Sequence, residues 1–345
     1  MTEKTPITFK PKQVVKRILS ILGERAQDVL ISRFGLGNDT KRMTLESIGK
    51  KYKITRERVR QIENYSIINI RKSKEYQKEK PAFDEIRNVM SELGGIVSEE
   101  SLLKHFSKDK STQNQIHFLL VVGEDFTKEK EDEEFKHRWY IDKDLSKKIH
   151  TSLRELYSTL SDDEILLESD MVEKFLAQLK DISDKYKNEE IAKRWLALSK
   201  LIDKNPLGEW GKSQSPNINA KGMRDYAYLV IRRHGSPIHF REVAKLITEL
   251  FKKKAHVATT HNELIKDPRF VLVGRGLYAL SEWGYMSGVV KDVIRNVLAK
   301  NGPLTKDEII KKVLKERYVK ENTIMVNLQN PKYFKKSKEG KYSAV

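Results

Sequence analysis

The chain contains no cysteine, which removes disulfides, thiolate nucleophiles and cysteine-based zinc sites and fits a reducing compartment. It also lacks any apolar run of membrane-spanning length, and the polar stretch Met1–Lys12 has no apolar core of the kind a signal peptide requires. These absences predict a cytoplasmic protein, associated with the nucleoid, with no membrane partner. No Gly-Lys-Ser/Thr loop is present to cradle a phosphate, and no serine stands in a nucleophile elbow. The eight histidines include no pair at the i, i+4 spacing of a helical metal site; His234/His239 and His256/His261 are each five apart. No catalytic group, metal, cofactor or small-molecule substrate is therefore expected, and the chain reads as non-enzymatic.

What is present is positive charge. Formal net charge is +18, with a pI near 9.6, which suits a polyanionic partner held through counterion release. The block from Lys41 to Lys74 holds eleven Lys/Arg against three Asp/Glu, so basic excess is expected to concentrate there. Within it, Thr44 is a good N-cap for a short helix whose apolar positions Leu45, Ile48 and Tyr52 share one face, and Gly49 leaves room for a second helix. Thr55 caps that second helix. Val59, Ile62, Ser66 and Asn69 keep helical spacing along it, with Ile54 and Ile67 near the seam, while Arg56, Glu57, Arg58, Arg60 and Gln61 fall in the first two turns and point mostly away. An exposed N-terminal half with these residue types is what base reading needs: Arg matches guanine, Gln matches adenine, and Glu accepts from cytosine or fixes a neighbouring Arg. The candidate DNA-contacting residues are Arg56, Glu57, Arg58, Arg60 and Gln61 on the second helix, with Lys41, Arg42, Thr44, Lys50, Lys51 and Thr55 around them.

Residues 15–74 resemble region 4 of the primary bacterial sigma factors, which reads the upstream promoter element. Thr55-Arg56-Glu57-Arg58-Val59-Arg60-Gln61-Ile62-Glu63 coincides with that family's recognition helix, and Arg33-Phe34-Gly35-Leu36 with the segment preceding its helix-turn-helix. The resemblance implies that Arg56, Glu57 and Gln61 read bases and that Arg58 and Arg60 touch phosphates or bases. It further implies double-stranded DNA as partner and docking on the beta-subunit flap of the RNA polymerase core. About fifteen residues precede the block, too few for the promoter-melting region of that family, so the expected role is a promoter-element reader that does not initiate transcription alone.

Past Lys74 a supersecondary unit recurs. Segments beginning at Glu92, Arg233 and Lys300 each read as helix end, glycine-containing turn, short apolar extension, polar cap and new helix. The aromatic segments Trp139-Tyr140-Ile141, Leu277-Tyr278-Ala279-Leu280 and Lys341-Tyr342-Ser343-Ala344-Val345 close the copies as strands. The expected fold is mainly α with small β-hairpins: a helix-turn-helix followed by several winged helix-turn-helix domains. Expected boundaries are a tail over 1–14, the sigma-like unit over 15–76, a winged-helix-like unit over 82–144, a helical or degenerate unit with linker over 145–221, a fourth unit over 222–284 and a last over 288–345. Residues 222–284, through Ala227-Tyr228-Leu229-Val230-Ile231, His239-Phe240-Arg241-Glu242-Val243-Ala244 and Gly276-Leu277-Tyr278-Ala279-Leu280, resemble the HARE-type helix-turn-helix found in the RNA polymerase delta subunit and attached to restriction and chromatin proteins. The acidic run Glu129 to Glu134 is expected to be a solvated wing loop, and Trp195 and Trp210 to be packing residues.

The functional expectation is a sequence-specific transcription regulator. Two alternatives compete with it: a DNA-targeting component of a restriction or DNA-processing complex, and a nucleoid-associated binder without sequence preference.

Overall fold

The computed structural model describes residues 7–285 and 288–345; residues 1–6 of the expected tail lie outside them. The fold class is the expected one, mainly helical with small antiparallel sheets. The chain forms two compact units, one running to Lys204 and including Gly208–Gln214, the other comprising Asn205–Leu207 and Ser215–Val345. Among the described residues no helix is long and apolar enough to cross a membrane.

The first unit opens with five helices: α1 (Pro11–Leu19), α2 (Glu24–Phe34), α3 (Leu45–Tyr52), α4 (Arg56–Arg71) and α5 (Lys74–Lys78). Pro11 starts α1, where its missing N–H costs nothing. Thr44 and Thr55 cap α3 and α4 through their hydroxyl oxygens, which accept from the backbone N–H of Ser47 and Arg58. Gly49 is required by the close helix crossing, since a Cβ there would sit 2.7 Å from the Ile54 carbonyl oxygen.

A helix, strand, helix, helix, hairpin series follows: α6 (Lys80–Glu92), β1 (Ile96–Ser98), α7 (Glu99–Phe106), α8 (Lys110–Val122), β2 (Thr127–Glu129) and β3 (Arg138–Tyr140). β3 lies between β1 and β2, antiparallel to both, with Val97 and Lys128 opposite Trp139. This series does not enclose a separate core. Val14, Ile18, Leu30, Phe34 and Ile70 of the first helices and Ile116, Phe118, Leu119 and Val122 of α8 belong to one buried cluster. Polar contacts lock the joint. The Asn114 side-chain amide donates to the carbonyls of Gly35 (3.0 Å) and Thr40 (2.8 Å), and Gln115 donates to Leu36 (3.1 Å). Arg71 donates to the carbonyls of Val121 and Val122 at the last turn of α8. Gly35, at φ +64, ends α2 in the left-handed conformation, and a Cβ on it would approach Asn114 Nδ2 to 2.7 Å.

The same connectivity returns over α9 (Lys143–Thr159), α10 (Glu168–Gln178), α11 (Glu189–Leu196), β4 (Ile202–Lys204) and β5 (Trp210–Lys212). Its first strand is reduced to one bridge, in which Leu166 and Trp210 exchange two backbone hydrogen bonds of 2.8 Å. Trp195 and Trp210 are buried, as packing residues should be. The wing between β2 and β3 is solvated over its acidic run yet anchored beyond it. Its acidic side chains Glu131, Asp132 and Glu133 are exposed, as expected of a solvated loop, but its far end is pinned against this third series: Phe135 is buried, Lys136 N–H donates to Leu198, and Lys200 N–H donates to Glu134. Phe135, directly after the acidic run, provides the apolar anchor. Buried Arg138 contacts Glu129 (2.8 Å) and Asp132 (3.0 Å) and donates through Nε to His150 Nε2 at 2.8 Å.

The second unit holds two more copies. One comprises α12 (Met223–His234), β6 (Ile238–His239), α13 (Phe240–Phe251), α14 (Val257–Lys266), β7 (Phe270–Leu272) and β8 (Leu277–Leu280), with β8 central in its sheet. The other comprises α15 (Val290–Asn301), β9 (Leu304–Thr305), α16 (Lys306–Glu316), α17 (Glu321–Leu328), β10 (Phe334–Lys336) and β11 (Lys341–Ala344), with β11 central. Tyr228, Val243 and Tyr278 are buried, while Phe240 and Leu277 are half-buried.

Replacing Asn114 by Ala leaves two enclosed carbonyls without a donor, and the expected loss is about 1–3 kcal/mol of stability, read as a lower denaturant midpoint with an unchanged slope. Acid should also loosen the first unit. Burial, with Arg138 and Arg154 beside it, pushes the His150 imidazole down to about 4. The unfolded chain, with a histidine near 6.5, takes up that proton first, so stability falls as pH drops from about 6.5 to about 4. His150→Gln retains an acceptor for Arg138 and should flatten that part of the pH dependence of the denaturant midpoint. An unaltered pH dependence would assign the acid loss to other groups.

Candidate nucleic-acid interface

The helix-turn-helix of α3 and α4 is held by a small core of its own, with Val29, Ile48 and Val59 buried and Met43, Leu45, Tyr52, Ile54 and Ile62 packed around them. Lys53, in the left-handed region at φ 53, turns the chain from α3 toward Thr55. Arg33 ties the surrounding pieces together, donating to Glu63 on α4 (3.3 Å) and to the Met43 carbonyl (3.2 Å). Because Val59 is buried one turn into α4, Arg56, Glu57, Arg58, Arg60 and Gln61 are all exposed. This is the outward face that the apolar spacing predicts.

These side chains are already organised. Glu57 accepts two hydrogen bonds from Arg60, at 2.9 and 2.6 Å, and Arg58 donates to Gln61 Oε1 at 3.1 Å. The hydrogen bonds from Arg60 hold the Glu57 carboxyl below the usual range, and Glu57 in turn raises Arg60. Among the described residues no hydrogen bond or ion pair engages the Arg56 side chain. Further along the exposed face lie Tyr65 and Ile68, 68% and 49% exposed, so the stripe changes from polar to apolar toward the C-terminus of α4. Ser66 is buried, and Ile67 and Asn69 are half-buried.

The flanking residues divide. Lys41 is exposed, and Lys50 and Lys51 are exposed but paired, with Glu46 on their own helix (3.0 Å) and Asp28 on α2 (3.1 Å). Thr44 and Thr55 stand at the helix starts as caps. Arg42 lies apart from the set: its half-buried guanidinium donates through Nε to Asn114 Oδ1 at 2.9 Å, its Nη2 is enclosed without a hydrogen-bond partner, and burial lowers its pKa. Arg42 is thus engaged at the joint with α8. Sequence reasoning missed Asn114 and Gln115 as organisers of this site. The signal was the run Ile116 to Val122, apolar on every side, which marks a helix enclosed all round. Among the described residues no group of three or more His, Cys, Asp or Glu side chains is placed to hold a metal ion.

Residues 18–72 match the family Sigma-70, region 4. Over 60 residues the chain is 47% identical to the RNA polymerase sigma factor RpoD of Helicobacter pylori, covering 17% of this chain and 9% of that protein. It is 42% identical over 60 residues to SigA of Lactococcus lactis subsp. cremoris, covering 17% and 16%. To SigA of Clostridium acetobutylicum it is 40% identical over 73 residues, covering 21% and 19%. The chain thus spans less than a fifth of the length of these relatives, and the similarity falls on the helices that form the outward-facing set.

Thr55→Ala removes the acceptor for the Arg58 N–H and should cost about 1 kcal/mol of stability, measured by thermal or denaturant unfolding. Thr55→Ser, which keeps the acceptor, should restore most of it.

Proposed function

We propose that the protein is a sequence-specific, double-stranded-DNA-binding transcription regulator whose α4 reads an upstream promoter element in the major groove. The observation that carries this reading is the outward set Arg56, Glu57, Arg58, Arg60 and Gln61 on the first two turns of the second helix of a helix-turn-helix, within the segment that matches Sigma-70, region 4. Arg56 and Gln61 supply the bidentate donors and acceptors suited to guanine and adenine, Glu57 orients Arg60, and Arg58, Arg60 and Lys41 face backbone phosphates. Thr44 and Thr55 place the helix N-termini toward the backbone. The proposal assigns no catalytic step to the chain.

Association with RNA polymerase is the second part of the reading. The relatives are RNA polymerase sigma factors, and a promoter reader without polymerase contact would act only by occupying its site. For residues 222–284 the proposal keeps the HARE-type resemblance; their order α12, β6, α13, α14, β7, β8 is compatible with it and is shared by the last copy.

Selection from a random duplex library with the full chain at near-physiological salt, where counterion-driven background is suppressed, tests the reading. One enriched motif is expected. Arg56→Ala and Gln61→Ala should each cost about 1–3 kcal/mol on that motif and relax preference at particular positions. Tight binding without enrichment, or variants that alter neither affinity nor preference, would overturn the recognition-helix assignment.

A further inference from the structure

The copies of the helix, strand, helix, helix, hairpin series are not equivalent in charge. Residues 77–214, which hold the second and third helical series of the first unit, carry 23 Lys/Arg against 29 Asp/Glu. Residues 215–345 carry 26 against 12, and residues 1–76 carry 18 against 8. The basic excess is therefore not confined to the helix-turn-helix block, as local sequence led us to expect. The larger share belongs to the C-terminal unit.

Burial sharpens the difference. In the series that begins at α6, the third helix, α8, is buried from Asn114 to Leu120 and again at Val122, and its wing, which carries Glu129, Glu131, Asp132, Glu133 and Glu134, is pinned down. In the next series α11 begins with Glu189 and Glu190, and its basic residues Lys193 and Arg194 are paired within 2.7 Å to carboxylates. Apart from Lys110 at the start of α8, neither helix offers a polyanion an exposed, unpaired cation among the described residues.

The wing of the last copy is the opposite case. Phe334 on β10 and Tyr342 on β11 are buried and anchor the hairpin, while Lys335, Lys336, Lys338 and Lys341 are exposed. The turn is closed by Ser337 N–H donating to the Lys341 carbonyl (2.7 Å) and Gly340 N–H donating to Ser337 (3.1 Å), with Gly340 at φ +83. Lys341 lies near Glu308, whose carboxyl its charge helps to hold down. Among the described residues Lys335, Lys336 and Lys338 enter no ion pair. Lys335 and Lys336 stand on opposite faces of β10, the latter over the Tyr342 ring (5.7 Å), and Lys338 stands in the turn, so the hairpin's exposed end carries four lysines, counting Lys341, against the one carboxylate of Glu339. That arrangement suits a line of phosphates.

We propose that the β10–β11 wing is a second duplex-DNA contact that grips the phosphate backbone without reading sequence. Lysine is a point charge without the fork that selects a base edge, so the wing adds affinity but no preference. Joined on one chain to the helix-turn-helix, it raises the effective concentration of the reader along any duplex. It rests on the DNA-binding reading and does not depend on α4 having a preferred sequence.

The test is anisotropy titration of the full chain against a random-sequence duplex and against the enriched motif, across a salt series. The triple variant K335Q/K336Q/K338Q should bind both duplexes about tenfold more weakly at near-physiological salt. It should also flatten the plot of log affinity against log salt by about 2–3, near 0.9 for each phosphate that is no longer neutralised. Preference between the duplexes should be unchanged. K335R/K336R/K338R should bind like the parent, and K130Q/K143Q/K147Q, which removes equal charge from exposed positions of the first unit, should have little effect. A wing variant no weaker than this control overturns the proposal, as does weakening seen with single-stranded RNA but not with duplex. Failure of the α4 assignment would appear separately, as R56A and Q61A variants with unaltered preference.

Discussion

The first unit depends on enclosing Asn114, a buried polar side chain in the N-terminal half of α8. Its amide donates to two carbonyls that follow α2, and its oxygen accepts from Arg42. Each of these groups is costly to bury alone and inexpensive to bury together. The arrangement fixes the loop 35–42, which leads directly into Thr44 and α3, so the start of the helix-turn-helix is positioned from a helix some seventy residues later. Gly35 belongs to the same constraint, because no larger residue fits both its backbone conformation and the space beside Asn114.

A shared core follows from that joint. The apolar faces of α1, α2 and α8 bury one another, and Arg71 at the end of α4 caps the last carbonyls of α8. The helix-turn-helix is thus held at both ends by one neighbour: through Arg42 and the loop before α3, and through Arg71 in the last turn of α4. Support of this kind limits the reorganisation that the exposed Arg56, Glu57 and Gln61 would need in meeting any partner. The helix that supplies the rigidity surrenders its own outer face in doing so.

Repetition of one connectivity therefore does not mean repetition of one role. α8 and α11 occupy the place that α4 occupies in the helix-turn-helix, yet one is enclosed and the other is led by carboxylates. The wing of the first is turned to packing, as Phe135 and the Arg138–His150 hydrogen bond demonstrate. Charge follows the same division, with basic excess at both ends of the chain and a slight acidic excess between them. Fold alone would have assigned every copy the same function; the surface chemistry separates them.

Much of this was readable from local sequence. Thr44, Thr55, Gly49, Val59 and the polar cluster after Thr55 act within a few residues of one another, and caps and apolar spacing operate at that range. The helix-turn-helix, the outward face of α4 and the hairpins closing three of the series could therefore be stated in advance, whereas the β4–β5 hairpin could not. What local sequence could not supply was the destination of each exposed-looking side chain. Arg42 has the same local character as Lys41, and Phe135 directly follows a solvated acidic run, yet the burial of Arg42 against Asn114 and of Phe135 beside Leu198 depends on partners tens of residues away. Sequence by itself determined which segments became helices and which faces were apolar, because those follow from neighbouring residues. Only the tertiary structure decided which helices remained free to meet a partner, because desolvation is set by whatever the completed fold lays against each face.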